Sequence, residues 1–476
     1  MHDDGKNSGI QHSDLTGPAT IRATLSCLMP FLEEYWSRPL RDYAAACFHT
    51  LPSSEPSSAA RTHARRLLTN MVANAALRSG FSPQEVASVR GQLAMAPVIQ
   101  TGPHCHLLVE PDAFYTLLFG VMGLRANNLP WQIWYGASTV KLIESARKGP
   151  GWLRLGGQHV NVFGLSRKRM DPYSVCAVTG RYYRFELSDP RTGILASSSS
   201  AAALMDLLPC GRFRSAAEAI RTGNQALWSR INKGSIGLIQ IDDFDVADLL
   251  AEHFDDPGSF LSQHFFGRHG LGPALLDVQS RLNDGPWAGW VSSTTDFFWR
   301  HDAGRLRPMR LVGQMLVDRS LANPLPFEAE PIAAALRSRT IIPGLLLTFI
   351  ALSILPGVRA LGGCRQTVYY PLMRYLMASA LTGLGLGEAL DDLKHDVWPG
   401  LWGHRVLSLA GRDPFEAFEA AASEDLALSY GHLSLKSACG PLASFTRDPQ
   451  WARLRSSIDR QEVGRASPEW QWVGLS

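Results

Sequence analysis

Apolar and polar positions follow two different periods along the chain, and the change between them falls near residue 95. Residues 21–90 have helical periodicity, interrupted by a Pro- and Ser-rich loop at 52–58. The segment 82–85 (Ser-Pro-Gln-Glu) indicates a helix start, because the side chains of Ser82 and Glu85 can each accept a hydrogen bond from the other's backbone amide. The pattern therefore predicts a helical N-terminal region.

Short apolar runs alternate with helical patterns after residue 95. The runs at 96–100 and 131–135 predict strands, and the stretches at 112–124 and 140–147 predict helices. This order is typical of a parallel sheet with covering helices, and such sheets bind ligands at the carboxyl ends of their strands. Further strands are predicted at 159–163, 181–187 and 235–241.

The predicted fold class is α/β, with a parallel-sheet core and helical additions at both ends. After Phe327 helical patterns predominate again to about residue 454, and the sequence has neither an internal repeat nor a sustained heptad. The predicted organisation is a disordered tail at 1–18, a helical N-terminal region at 19–94, an α/β core with insertions at 95–380 and a helical C-terminal region at 381–476.

Composition and charge narrow the class of protein. The 476 residues are 45% hydrophobic and 19% charged, which suits a globular chain, and 46 basic against 43 acidic residues give a net charge of +3. Since the arginines are scattered, we expect no nucleic-acid partner, and the densest basic tract, 166–169, is kept as a phosphate-binding alternative. The most apolar stretch, 341–355, is shorter than the ~20 residues of a membrane span and predicts a buried helix.

Cysteine usage indicates the compartment. The seven cysteines are odd in number, widely spaced and never form a CxxC pair, so we expect no disulfide framework and a reducing, cytoplasmic environment. One of them, Cys105, has a histidine on each side, and a thiolate nucleophile at this position is a further hypothesis.

The loop 101–106 is the principal candidate site, because it connects a predicted strand to a predicted helix. In the segment that Thr101 begins, Gly102 lets the backbone approach a ligand closely, and the start of the following helix offers amides to an anion. His104 and His106 are candidate catalytic residues, since imidazole titrates near neutrality. The alternative is a structural turn with two packed histidines. No metal is expected, because no third and fourth ligands accompany the pair at a regular spacing.

Polar residues after other predicted strands form a second set of candidates. Asp242 and Asp243 follow the strand at 235–241, where they could orient an amine or hold Mg²⁺, or cap the next helix. Ser138 and Thr139 follow the strand at 131–135. Thr295 and Asp296 supply a hydroxyl and a carboxylate beside three aromatic residues. This combination is expected where a polar ligand meets an apolar wall.

Common nucleotide and hydrolase motifs are missing from the sequence. It contains no GxxxxGK[ST] phosphate loop and no GxSxG nucleophile elbow, and the glycine run at 383–387 lies in a helical region. Ordinary ATPase, hydrolase and Rossmann dehydrogenase activities are therefore disfavoured.

Two segments, 98–104 and 354–369, together resemble the bacillithiol-pathway cysteine-adding enzymes. In that family a strand ends in a Thr-Gly-Gln-Gln loop, and a later Leu-Pro element leads to a Gly-Gly-x-x-Glu-x-x-Tyr motif. The matching positions are Thr101, Gly102, Leu355, Pro356, Gly362, Gly363 and Tyr369. The chain departs from the family at Pro103 and His104, which replace two glutamines, and at Gln366, which replaces the motif glutamate. It also lacks the family's acidic, histidine-containing cluster after the second strand and its coiled coil.

The resemblance implies a nucleotidyltransferase-like Rossmann core and a bacterial biosynthetic enzyme of the carbon-nitrogen ligase type. Such an enzyme would condense an amino acid or similar carboxylate with a small amine, with a nucleotide as the candidate cofactor and homodimerisation left open. In this hypothesis Gly102 and Gly363 hold an anion, Gln366 and Tyr369 orient the acceptor, and a histidine moves the proton. The two aspartates after the strand at 235–241 would fix the charge of the amine. The rival hypothesis is a non-catalytic small-molecule-binding or scaffold protein that keeps the fold.

Overall fold

The computed structural model describes most of the chain from residue 17 onward. The described ranges are 17–51, 57–102, 104–140, 150–155, 158–166, 169–178, 180–189, 191–196, 198–232, 236–321, 323–403, 406, 414–421, 425–464 and 466–473. Almost all of the predicted tail, Pro103, most of the predicted helix at 140–147 and the centre of the basic tract at 166–169 lie outside these residues.

Helices and strands are numbered separately in chain order. The helices are α1 Pro18–Leu28, α2 Leu32–Tyr35, α3 Leu40–Cys47, α4 Ala59–Arg78, α5 Pro83–Met95, α6 Pro111–Ala126, α7 Ser199–Leu207, α8 Ala216–Asn232, α9 Asp243–Asp255, α10 Phe260–His264, α11 Leu271–Asn283, α12 Ala329–Arg337, α13 Leu345–Phe349, α14 Gln366–Leu384, α15 Gly387–Lys394, α16 Pro414–Ala421, α17 Leu426–Gly431, α18 Leu435–Ala438, α19 Ala443–Thr446 and α20 Pro449–Asp459. A π-helix spans Ile350–Ile354 and a 3-10 helix spans Pro468–Val473. The strands are β1 Val98–Gln100, β2 Trp131–Tyr135, β3 Trp152–Leu155, β4 Gln158–Asn161, β5 Gly237–Ile241, β6 Phe298–Asp302, β7 Arg305–Pro308, β8 Arg310–Val312, β9 Met315–Val317, β10 Leu325–Pro326, β11 Ile341–Pro343, β12 Arg359–Gly362 and β13 Gly400–Trp402.

A five-stranded parallel sheet forms the centre of the fold, as the sequence predicts. Its order is β13-β12-β1-β2-β5, and every neighbouring pair is parallel. The chain moves outward from β1 through β2 to β5 and later returns to the other side of β1 with β12 and β13. Doubly wound sheets have this same order, and the point where the direction reverses, here between β1 and β12, is where they leave a crevice.

The helix α6 covers one face of β1 and β2 at very short range. Below it the side chain of Gln132 donates to Oε1 of Gln100, whose amide nitrogen donates to the carbonyl of Thr116 at 2.7 Å. A Cβ at Gly120 would lie 2.5 Å from Oε1 of Gln132, so only glycine lets the helix approach this buried amide pair. The carboxyl end of β1 is therefore positioned by packing as well as by the sheet.

A buried ion cluster anchors α14, the helix that begins beside the reversal point. Nη1 of Arg374 lies 2.6 Å from one carboxylate oxygen of Asp396, and Nη1 of Arg61 on α4 lies 2.6 Å from the other. All three side chains are buried. Because one buried carboxylate serves two guanidinium groups, the cluster joins α4 firmly to α14.

Of three further predictions about secondary structure, one is confirmed and two need correction. The strand predicted at 159–163 forms as β4, but it pairs antiparallel with β3 in a separate two-stranded sheet. The segment 181–187 makes only isolated bridges, such as Tyr183 with Phe213. The stretch 341–355 begins as a strand, because β11 pairs with β6, and turns helical only after Gly344. In the last two cases the pairing partner lies far away in the sequence, where the local apolar pattern does not show it.

The boundary drawn at residue 381 also differs from the structure. The region 381–476 was predicted to be a helical addition, yet it supplies β13, an edge strand of the parallel sheet whose residues pair with Ala360, Leu361 and Gly362. A three-residue strand is too short to show a period in the sequence. Residues 18–95 contain α1 to α5. Among the described residues, no helix has both the length and the apolar character required to cross a bilayer.

Candidate functional site

The two segments that carry the family resemblance meet where the strand order reverses. The backbone amide of Thr101, just after β1, donates to the carbonyl of Leu361 on β12 at 2.8 Å. Its hydroxyl donates to Oε1 of Gln366, the first residue of α14, at 2.7 Å. Two stretches separated by 265 positions are thus joined by a direct side-chain hydrogen bond at the carboxyl edge of the sheet.

Both acceptor positions of the Gln366 side-chain oxygen are used at this junction. Oε1 also accepts a hydrogen bond from the hydroxyl of Tyr369 at 3.2 Å, and Nε2 donates to the carbonyl of Ala360 at 3.1 Å. A Cβ at Gly362 would lie only 1.9 Å from the Gln366 side chain. The space that Gly362 leaves is therefore occupied by Gln366, whereas the sequence interpretation reserved it for a ligand.

The main chain of the histidine-containing loop turns the other way. His104 has a left-handed backbone, with φ of 52°, and its carbonyl oxygen lies 3.4 Å from where a Cβ of Gly136 would be, at the end of β2. The carbonyl of His106 accepts a hydrogen bond at 2.9 Å from Asn224 on α8. Since β2 and β12 flank β1 on opposite sides, the loop backbone runs from Thr101 toward β2 and away from Gln366.

A second junction lies at the carboxyl ends of β2 and β5, around the buried carboxylate of Asp243. The carboxylate accepts five hydrogen bonds, from the Tyr135 hydroxyl at 2.7 Å and from the amides and hydroxyls of Ser138 and Thr139 at 2.5–3.2 Å. Burial raises the pKa of Asp243, although the donors at Ser138 and Tyr135 act in the opposite direction. The sequence interpretation brought Ser138, Thr139 and Asp243 to one site, and the structure brings them together as a closed cluster.

Asp242 caps α9. One carboxylate oxygen accepts hydrogen bonds from the amides of Phe244 at 2.9 Å and Asp245 at 3.2 Å, and the other is paired with the guanidinium of Arg221. Asp245 completes a capping box and pairs with Arg78 at 2.6 Å. Of the two interpretations that the sequence left open for Asp242, capping is the one that the structure contains.

Thr295 and Asp296 stabilise the connection between β6 and β8. The hydroxyl of Thr295 donates to the carbonyl of Met309 at 3.1 Å and accepts from its amide at 3.0 Å. Asp296 accepts a hydrogen bond from Arg310 at 2.6 Å and from the amide of Leu311 at 2.7 Å. These contacts join the segment before β6 to the start of β8. They do not connect Thr295 or Asp296 to either junction.

Cys105 does not have the environment of a reactive thiolate. It is buried within the candidate loop, and burial raises its pKa to about 12, so the group is a neutral thiol at physiological pH. All seven cysteines are free thiols. Within the described ranges, no three His, Cys, Asp or Glu side chains are arranged to hold a metal ion.

The sequence interpretation missed three residues that organise the candidate site. Tyr135 and Arg221 hold the two aspartates, and Asn224 holds the loop through the His106 carbonyl and, at 2.6 Å, the Leu108 amide. Asn224 left a usable signal, because a buried asparagine within a helix is unfavourable unless its amide has partners. Nothing in the sequence indicated Arg221, since its pairing with Asp242 depends on the packing of α8 against β5.

No protein-family model matches the chain, and no curated protein is significantly similar to it. The likeness to the bacillithiol-pathway enzymes therefore stays a prediction from the two segments at 98–104 and 354–369.

Proposed function

We propose that the protein binds a nucleotide or another small anionic metabolite beside Thr101 and α14 and uses it in a ligase-like carbon-nitrogen condensation. The observation that carries the proposal is the hydrogen bond between Thr101 and Gln366 at the reversal of strand order. Open parallel sheets bind their ligands in the crevice at this point. The positive end of the 19-residue α14 lies there as well, which favours an anion.

The proposed substrates are an amino acid or similar carboxylate and a small amine. Two observations support this part. The strand order of the parallel sheet is compatible with the predicted nucleotidyltransferase-like core. Five residues match the bacillithiol-pathway pattern, namely Thr101, Gly102, Gly362, Gly363 and Tyr369. The reaction forms a bond between the carboxyl carbon and the amine nitrogen. The bound nucleotide would activate the carboxylate by transferring a phosphoryl or nucleotidyl group to one of its oxygens. As the amine nitrogen bonds to the carboxyl carbon, the bond from that carbon to the activated oxygen would break, the phosphate or nucleoside monophosphate would leave with that oxygen, and the nitrogen would lose a proton.

His104 and His106 remain the proposed groups for that proton, because imidazole titrates near neutral pH. The two aspartates no longer have the proposed role of fixing the charge of the amine. Asp242 is paired with Arg221, and the carboxylate of Asp243 already accepts five hydrogen bonds. The amine would therefore be positioned by other groups of the crevice.

A non-catalytic binding protein is the second candidate function. The contacts of Gln366 favour it, because both acceptor positions of Oε1 and one of the two N–H groups of Nε2 are already used, which leaves a single N–H group to orient a substrate. This candidate shares the binding step with the ligase and differs only in turnover.

The binding step is tested by thermal shift with nucleotides and amino acids. A ligand at a hundred times its Kd should add ~2.7 kcal/mol of stability. We expect this gain in the wild type and in the control Thr222→Val, an exposed threonine on α8, but a reduced gain in Thr101→Val. If no nucleotide and no amino acid stabilises the wild type, the binding proposal fails.

Turnover is tested by incubating the ligands found in this way and detecting an amide product by mass spectrometry. The ligase proposal expects a product, and it expects the double variant His104→Ala, His106→Ala to bind the nucleotide but to form the product far more slowly. Binding without any product would favour the non-catalytic protein. Unchanged turnover in the double variant would remove the histidines from the mechanism.

A further inference from the structure

A cavity of about 370 Å³ lies at the edge of the parallel sheet opposite the Thr101 junction. Its floor is the start of β2 and β5, where Trp131 pairs in register with Gly237. Both residues are the first of their strands, so this is the amino-terminal edge. The cavity is therefore separate from the proposed ligand crevice, which lies at the carboxyl-terminal edge.

Three aromatic rings form the apolar wall of this cavity, and their positions are fixed by contacts of their own. The rings of Phe81 and Trp131 meet edge to face, with centroids 4.9 Å apart and an interplanar angle of 79°. The indole nitrogen of Trp131 donates to Ser88 at 2.9 Å, and that of Trp228 donates to the carbonyl of Ile236 at 2.8 Å. Because both N–H groups are used, these largely buried indoles give the cavity an apolar lining and no strong hydrogen-bond donor.

The polar part of the cavity wall carries negative charge. Glu85 is the ionisable residue among those that line it. Oε2 of Glu85 accepts hydrogen bonds from the amide and the hydroxyl of Ser82, both at 2.7 Å, and these bonds lower the pKa of Glu85. The carboxylate is thus ionised at neutral pH. Gln225 adds a half-buried amide that makes no hydrogen bond to the described part of the chain.

We propose that this cavity binds a small organic ammonium ion with an aromatic or aliphatic body. Faces of tryptophan and phenylalanine rings attract cations, and the carboxylate of Glu85 adds to that attraction. An anion would be repelled by the same carboxylate. A volume of about 370 Å³ lies in the range of small-molecule pockets.

The charge requirement is tested with two probes of similar shape and opposite charge. Calorimetric titration of the full chain with tryptamine should show binding, and 3-indolepropionate should bind at least tenfold more weakly. If tryptamine does not bind at millimolar concentration, the cavity is not an ammonium site. Equal affinity for the two probes would overturn the inference as well, because it would show that the rings bind any indole.

Two variants locate the binding event in the cavity. Ser229 is exposed at the cavity wall and its hydroxyl bonds only to the carbonyl of Ala226, so Ser229→Trp should fill the space, keep the fold and abolish tryptamine binding. Ser429→Trp, at an exposed serine of α17, is the matched control and should bind normally. Glu85→Gln retains a residue suited to the capping box and should weaken binding roughly fivefold, the effect of an exposed ion pair.

Retained tryptamine affinity in folded Ser229→Trp would contradict the assignment. The nucleotide-induced thermal shift should be the same in Ser229→Trp and the wild type. Failure of the ammonium site and failure of the proposed nucleotide site are therefore distinguishable.

Discussion

Two junctions at the carboxyl edge of the sheet tie a loop after one strand to the start of a helix, but they do so with different chemistry. At the first, Thr101 donates to the neutral amide of Gln366. At the second, Ser138, Thr139 and Tyr135 surround the carboxylate of Asp243 with five donors. A buried carboxylate must replace its whole hydration shell, whereas a neutral amide needs fewer partners.

We call the second junction a structural lock, because its buried carboxylate serves to hold the fold together. The first junction is a candidate binding position. The second junction has no acceptor to spare for a ligand without breaking the cluster around Asp243. The first lies where the strand order reverses, and its threonine hydroxyl has one acceptor within 3 Å, Oε1 of Gln366. If a ligand replaced this hydrogen bond, the loss of free energy would be small, since a neutral hydrogen bond contributes ~1 kcal/mol net.

The largest effect is expected from Asp243→Ala. This change leaves five buried donors without their acceptor, two of them backbone amides, and we expect a loss of about 3–5 kcal/mol in the free energy of unfolding measured in urea. Asp248→Ala, at an exposed carboxylate of the same helix, is the control and should cost less than ~1 kcal/mol. A loss below ~1 kcal/mol for Asp243→Ala would refute the structural lock.

A smaller effect is expected at the first junction, and its origin can be isolated by a double-mutant cycle. Gly362→Ala should cost about 2–3 kcal/mol, because the new Cβ meets the Gln366 side chain 1.9 Å away. Gln366→Ala removes that obstacle at the expense of three hydrogen bonds. Urea unfolding of the double variant should therefore show less destabilisation than the sum of the single changes. Simple additivity would mean that Gln366 does not fill the space above Gly362.

A third and smaller effect concerns the pH dependence of the free energy of unfolding, which should differ between wild type and Asp243→Asn. Since burial raises the pKa of Asp243 in the folded state, the folded chain binds this proton more tightly than the unfolded chain does. The free energy of unfolding then falls as pH rises from the unfolded pKa, ~3.9, through the folded one. We expect this decline above about pH 4 in wild type and its absence in Asp243→Asn. An increase with pH in the same range would show that the five donors outweigh burial.

The elements that the sequence predicted best are those specified by neighbouring residues. The capping box at Ser82 and Glu85 is formed, and β1, β2 and α6 lie where the apolar pattern put them. The family resemblance assigned residues 101 and 366 to one site, and the structure joins them by a hydrogen bond, although the strand β12 that leads to residue 366 was not predicted.

The errors concern contacts that depend on the whole fold. The position of Gln366 over Gly362 follows from side-chain packing, which no spacing along the chain encodes. The sequence treated Asp242 and Asp243 alike, but one faces Arg221 in the solvated cap of α9 and the other faces the closed end of β2. Consecutive residues at a helix start point in different directions, so equal chemistry there does not imply equal function.

The smallest effect, one on reactivity and not on stability, is expected at the cysteine of the candidate loop. Labelling of the native protein with a thiol-specific disulfide reagent should modify the exposed Cys210 first, and Cys210→Ser should remove the rapid phase. Cys105 should remain unmodified until the protein unfolds, because it is buried and has a pKa of about 12. Peptide mapping distinguishes the two sites. Rapid labelling of Cys105 in Cys210→Ser protein would mean that the loop 101–106 opens in the native state, and protection of Cys105 by a nucleotide would then place the ligand beside this loop.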